Sequence, residues 1–80
     1  MEVLNDRNKT YGKFKDVADT AQELKAIMHM SPNWVDLPAK QRESLEMIAT
    51  KISRALHGNP LHEDNWVDIA GYATLVIKDV

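Results

Sequence analysis

The sequence predicts an all-α fold: a small bundle of three main helices that is completed by oligomerisation. Apolar residues recur at spacings of three and four, which is typical of helices, between breaks at 11–12, 31–33 and 58–60 that each contain Gly or Pro. An 80-residue chain without cysteine buries only about 60% of its unfolded surface and has no disulfide to stabilise it. We therefore expect one domain over residues 1–80 that associates with further copies.

The first part of the chain predicts a short N-terminal segment and one main helix. Residues 1–13 form the segment, and 2–9 resemble a partial helix weakened by asparagines. The first main helix is expected at about 14–30. Its apolar stripe consists of Phe14, Val17, Ala18, Ala21, Leu24 and Met28.

The loop that follows holds Trp34, which we interpret as a plug at the end of the core. The alternative is an exposed anchor for a binding partner.

The second main helix is expected at about 38–57. Pro38 suits the first helical position, and Gly58 suits a left-handed residue just beyond the end. The apolar stripe that should face the core consists of Leu45, Ile48, Ala49, Ile52, Ala55 and Leu56.

The third main helix is expected at about 63–78, with Asp64 or Asn65 as its cap. An interior glycine, Gly71, costs about 1 kcal/mol relative to Ala in a helix, which indicates a packing or functional reason for it. The stripe expected in the core consists of Trp66, Ile69, Ala70, Ala73, Val76 and Ile77.

Composition and charge disfavour several classes of function. The net charge is −2, from 10 basic and 12 acidic residues, so the chain lacks the basic surface that DNA- or RNA-binding proteins usually carry. No apolar run approaches the roughly 20 residues of a membrane span. Met1 is followed by Glu2 and Asp6 rather than by a basic and then an apolar stretch, so no signal peptide is predicted. We expect a cytoplasmic protein.

Two apolar residues lie on the helix sides opposite the expected core stripes. These are Met47 on the second main helix and Leu75 on the third. Both should be exposed in a monomer, which favours contact with another copy of the chain. The alternative is two isolated exposed side chains, which are common on protein surfaces. With Trp34 they are the candidate interface residues.

Four carboxylates are spaced so that each pair shares one side of a helix. Glu43 and Glu46 are three residues apart, and Asp64 and Asp68 are four apart on the next helix. On facing helices, two such pairs would offer oxygen ligands to Mg²⁺. Acidic pairs at these spacings also occur on ordinary solvated surfaces, and Asp64 also suits a helix cap.

Further residues fit a phosphate ligand better than a transition metal. Lys51 and Arg54 could contact phosphate oxygens. His57 and His62 flank the turn at 58–60 beside acidic residues, but a helix C-terminus and a loop explain them without a metal.

Three strings together resemble a known group of proteins. They are RNKTYGKF at 7–14, EMIATKISR at 46–54 and DNWVDIAGY at 64–72. In this order they resemble short phage and prophage proteins of unknown function, similar to a branch of the MazG-like all-α nucleoside-triphosphate pyrophosphatases. That resemblance implies Mg²⁺-dependent hydrolysis of a (d)NTP to the monophosphate and pyrophosphate.

The resemblance also implies site residues. Glu43 and Glu46 match the Glu-x-x-Glu pair of the superfamily by spacing, and Asp68 matches the last acid of its Glu-x-x-Asp pair. Asn65 stands where the third acid should be, with Asp64 beside it. Glu46 and Asp68 are the residues to which the resemblance assigns catalysis. Tyr72 or Trp66 could stack on a base, and a core role is the alternative for Trp66.

Two functions follow as hypotheses. The first is a Mg²⁺-dependent (d)NTP pyrophosphohydrolase of phage type that acts as a homo-oligomer. The second is a small helical protein-binding module that inhibits a host or defence protein, because a helical scaffold alone does not fix a function.

Overall fold

The fold is all-α, as the sequence predicts. A computed structural model describes the backbone of residues 2–78 and the side chains of residues 5–78; residues 1, 79 and 80 of the expected domain lie outside the described part. No strand occurs in 2–78. The helices are α1 (Glu2–Tyr11), α2 (Phe14–His29), a 3₁₀ turn (Trp34–Asp36), α3 (Ala39–His57) and α4 (Glu63–Ile77).

The helices form a flat layer with α3 in its middle. Helix α3 packs against α2 on one side and α4 on the other, and α1 covers one end against α2 and α3. The principal extents are 43 × 27 × 18 Å. Helix α1 is a complete helix where the sequence indicated only a partial one, because α2 and α3 support it.

Small residues fill the α2–α3 interface. Val17, Ala21 and Ala49 are the buried apolar side chains among the described residues. The Ser53 hydroxyl, fully buried on α3, donates a hydrogen bond to the Val17 carbonyl of α2 at 2.7 Å. Small side chains let the two helix backbones approach closely, and this bond satisfies the buried Ser53 hydroxyl.

The prediction that the apolar stripes of α3 and α4 lie in the core was wrong for several of the large side chains. Leu45, Ile52, Leu56 and Trp66 are between 40% and 67% exposed. Helix α3 has neighbours on two opposite sides, so it buries two narrow strips around Ser44 and Ala49 rather than one broad stripe. Helix periodicity places Leu45, Ile52 and Leu56 between those strips, where they remain exposed. Phe14, also expected in the core, is exposed as well.

Two glycines allow the turn after α1 to pack on the end of α3. Gly12 has φ +86°, the left-handed region that favours glycine. Gly58 is not left-handed, contrary to prediction: its φ is −109°. A Cβ at Gly58 would collide with the Thr10 carbonyl oxygen, so close approach explains this glycine. The next amide, that of Asn59, donates to the same carbonyl at 2.8 Å.

The helix starts differ slightly from those predicted. Pro38 precedes α3 as its N-cap instead of occupying the first helical position. His62 is the N-cap of α4, so neither Asp64 nor Asn65 caps it. Asn65 points inward instead, because helix periodicity places it on the side of α4 that packs on α3.

Candidate functional site

The first candidate site is a pocket of about 290 Å³ at the end of the α2–α3 groove. Both residues of the predicted Glu-x-x-Glu pair, Glu43 and Glu46, line it from α3. The other lining residues are His29, Trp34, Ala39 and Arg42. We call this cavity the acidic pocket. It places two carboxylates beside a guanidinium and an aromatic ring.

Contacts inside the acidic pocket hold Glu46 and Trp34 in position. The His29 Nε2 lies 3.4 Å from a carboxylate oxygen of Glu46. The rings of His29 and Trp34 lie 4.8 Å apart between centroids with a 39° tilt. Trp34 is half-buried, so it partly closes the end of the groove while one part of its ring stays accessible. His29 therefore links the acid to the aromatic ring.

Arg42 is a further charged group at this pocket. Its Nε is buried and has no hydrogen-bond partner among the described residues. A buried donor without a partner costs free energy. The buried Nε is not the atom that a ligand in the pocket would meet, but Arg42 lines the cavity, and a guanidinium has further N–H groups that match phosphate oxygens.

The donor set of the acidic pocket fits Mg²⁺ held together with a substrate. Within the described residues no three His, Asp or Glu side chains come together as a metal site. Mg²⁺ is usually bound through one or two carboxylates, with water and substrate phosphates completing its shell. Glu43 and Glu46 supply that number of carboxylates. The metal assignment itself stays a prediction.

The second predicted acid pair lies elsewhere in one chain. Asp68 of α4 faces α3, where its Oδ2 lies 2.9 Å from the Lys51 Nζ. The Asp64 carboxylate lies 3.8 Å from His62 at the start of α4. The structure thus brings Glu43 and Glu46 together in one pocket. It separates them from Asp64 and Asp68, which lie on the α4 side of α3.

Two residues weighed for the site are engaged inside the fold. The Lys51 side chain, assigned to phosphate, is only 11% exposed and its ammonium contacts Asp68. Asn65, at the position of the third acid, is 1% exposed, and its Nδ2 has no partner among the described residues. Because the residue is buried, its amide oxygen is not accessible to a metal ion from solution in a single chain.

A second cavity, of about 160 Å³, lies further along the same α2–α3 groove. The predicted phosphate residue Arg54 lines it, together with Arg7, Tyr11, Lys25 and others from α1 and α2. We call it the cationic pocket. Its charged residues come from three different helices, so no sequence spacing could have grouped them.

The three predicted interface residues lie in three different environments. Leu75 is 43% exposed on α4, Met47 is half-buried on α3, and Trp34 lines the acidic pocket. A wider exposed apolar surface lies on α3 and α4. We call it the apolar face and define it by Leu45, Ile52, Leu56 and Trp66.

Family membership follows from a comparison with known protein families. A family described as a domain of unknown function, DUF6378, matches residues 1–78. The chain belongs to that family. No curated protein and no solved structure matches the DUF6378 chain significantly. The family description names no activity, so the MazG-like and phage assignments stay expectations drawn from the three strings.

Two further observations concern the DUF6378 chain as a whole. None of the helices in the described residues combines the length and the apolar character needed to cross a lipid bilayer. On the surface of α2, a hydrogen bond to Asp19 raises the pKa of Lys15 above its ordinary value. That pair is fully solvated and lies away from both pockets.

Sequence reasoning about the DUF6378 chain missed Arg7, Tyr11, Lys25 and Arg42. The string at 7–14 contains Arg7 and Tyr11 and was a signal for their importance, but it gave no indication of their partners on α3. Arg42 immediately precedes the Glu-x-x-Glu pair. Its position in the acidic pocket becomes visible only when α2 and the 3₁₀ turn are placed beside α3.

Proposed function

We propose that the chain is a Mg²⁺-dependent nucleoside-triphosphate pyrophosphohydrolase of MazG-like type, of phage or prophage origin, acting as a homo-oligomer in the cytoplasm. The observation that carries this proposal is the acidic pocket, where Glu43 and Glu46 open into one cavity beside Arg42. The resemblance of the three strings to MazG-like proteins also supports it.

The residues of the acidic pocket have different roles in binding the metal and the nucleotide. Glu43 and Glu46 would hold the metal, which would neutralise phosphate charge and activate a water for hydrolysis. Arg42 donates to phosphate oxygens. Trp34 offers an aromatic surface on which a base stacks. His29 keeps the Glu46 carboxylate turned toward the cavity through their 3.4 Å contact.

Asp68 takes a different role in this proposal from the one the resemblance implied. Its contact with Lys51 couples α4 to α3. It therefore acts on the site by holding the layer together rather than as a metal ligand within the same chain. The loss of an acid at Asn65 agrees with this, because that position is buried.

The test is pyrophosphate release from a panel of (d)NTPs with and without Mg²⁺. Glu43→Gln and Glu46→Gln should each lower Mg²⁺-dependent turnover by about tenfold or more, because each removes a charged metal ligand. Glu23→Gln, which removes an equal charge from the exposed surface of α2, should leave it unchanged. The proposal would be contradicted if no nucleotide gave pyrophosphate release, or if all three variants lost turnover equally.

A second candidate function rests on the apolar face. The surface holds four large exposed apolar side chains on a chain of only 80 residues, and such patches usually mark protein contacts. In this alternative the chain is a binding module that inhibits a host or defence protein through that face. It predicts that Ile52→Lys removes biological activity while Glu43→Gln preserves it.

A further inference from the structure

The cationic pocket is built around one tyrosine. The Arg7 guanidinium carbon lies 5.4 Å from the centroid of the Tyr11 ring, and that of Arg54 lies 5.1 Å from it. Both contacts are within cation–π range. His62 also contacts Tyr11: the centroids of the two rings lie 5.1 Å apart and their planes meet at 88°. Tyr11 thus holds guanidinium groups from α1 and α3 at one place.

The charges of this pocket are not balanced inside the chain. Lys25 of α2 also lines the cavity, and no Asp or Glu does. Among the described residues, Arg7, Lys25 and Arg54 form no ion pair. Three neighbouring cations repel one another unless an anion lies between them. In a chain of net charge −2, that cluster indicates a ligand rather than a general surface charge.

The volume of the cavity limits the size of the anion that it can bind. Its volume is about 160 Å³, well below the roughly 300 Å³ at which pockets for whole drug-sized ligands begin. One water occupies about 30 Å³, so the space suits phosphoryl groups but not a nucleoside. The two arginines provide planar forks that match phosphate oxygens.

The position of the pocket relates it to the acidic pocket. Both lie in the α2–α3 groove: Lys25 is one turn before His29, and Thr50 is one turn after Glu46. Arg54 lies eight residues from Glu46, or about 12 Å along the helix axis. A ligand extending along the groove would place an anionic tail among the cations.

We propose that the cationic pocket binds the diphosphate end of the nucleotide, with Arg7, Lys25 and Arg54 as its phosphate contacts. This inference rests on the proposed function for the identity of the substrate. Recognition of the diphosphate itself needs neither Mg²⁺ nor turnover. The role predicted for Lys51 then passes to Arg7 and Lys25, since Lys51 is paired with Asp68.

The experiment measures binding of inorganic pyrophosphate in metal-free buffer containing EDTA, at ionic strength held constant with KCl. Calorimetry gives the affinity, and amide chemical shifts locate the site. Arg7→Gln, Lys25→Gln and Arg54→Gln should each weaken binding about tenfold or more, because each removes a charged phosphate contact. Lys9→Gln is the matched control, since Lys9 is an exposed cation on the same helix as Arg7.

The outcomes separate this inference from the proposed function. Binding that is weakened in the three pocket variants and unchanged in Lys9→Gln and Glu23→Gln supports the pocket, whatever the hydrolysis assay shows. No binding by the wild type, or equal weakening in Lys9→Gln, overturns it even if Glu43-dependent hydrolysis is found. Lys25→Gln keeps the arginine contacts with Tyr11, so its result stands if an arginine variant fails to fold.

Discussion

The Lys51 ammonium lies 2.9 Å from an Asp68 carboxylate oxygen and is almost enclosed between α3 and α4, whereas Asp68 remains 44% exposed. The pair joins two residues that the sequence assigned to separate tasks, phosphate binding and metal binding. A lysine in that position needs its counter-charge, because removing one partner of an enclosed pair leaves the other charge uncompensated.

A double-mutant cycle with Lys51→Ala and Asp68→Ala should measure a stabilising coupling of about 1 kcal/mol in urea unfolding. Solvent at Asp68 screens the pair, so we expect less than the roughly 3–5 kcal/mol that breaking a fully buried pair costs. The matched control is Lys15 with Asp19, also a lysine and an aspartate at 3.0 Å but exposed on one helix. Equal coupling in the two cycles would contradict an α3–α4 role for Lys51.

Replacement of Gly71 by Ala should stabilise the chain by up to about 1 kcal/mol, the difference in helix propensity. A Cβ at Gly71 meets nothing within 4 Å, so no packing cost opposes the gain. Gly58→Ala is the opposite case and should destabilise, because its Cβ would collide with Thr10. Thermal unfolding of both variants checks this, and a lower Tm for Gly71→Ala would show that a contact outside the single chain requires the glycine.

Restoration of the third acid by Asn65→Asp should destabilise the fold at neutral pH by about 2 kcal/mol or more. Burial disfavours the charged form, so the pKa of an aspartate at this position should rise above its value in the unfolded chain. The unfolded state then ionises more readily, and the penalty grows as pH rises above about 4.

The pH dependence of this variant provides its own check. The Tm difference between Asn65→Asp and wild type should shrink as pH falls from 7 toward 4. Asn33→Asp makes the same chemical change at an exposed position and should show a much smaller penalty at pH 7. A pH-independent difference for Asn65→Asp would mean that the carboxylate is solvated or paired in the fold.

Self-association should depend on the apolar face. In light scattering over a range of concentrations, the wild type should form an oligomer, and Ile52→Lys should shift it toward monomer because a lysine cannot be buried there without a partner. Ile27→Lys, also at an exposed apolar position but on α2, is the control. A wild type that stays monomeric at all concentrations would favour the second candidate, in which another protein covers the face.

The candidate site was predictable only in part. Spacing along one helix placed Glu43 and Glu46 together, because residues three apart share one side of a helix. The pairing of Lys51 with Asp68 and the clustering of Arg7, Lys25 and Arg54 were not predictable. Those contacts depend on how α1, α2 and α4 sit around α3, and helix periodicity contains no information about which neighbour each side receives.

The sequence alone determined local structure, which here means the positions of the three main helices. The breaks at 11–12, 31–33 and 58–60 and the apolar spacing fixed three main helices to within one or two residues of their observed ends. Tertiary structure decided which sides of those helices are buried. With α3 between α2 and α4, small residues such as Ala49 and Ser53 fill the interfaces while Leu56 and Trp66 stay exposed. The physical reason is that burial depends on the number and placement of neighbouring helices, whereas a stripe of apolar residues specifies only that some neighbour should cover it.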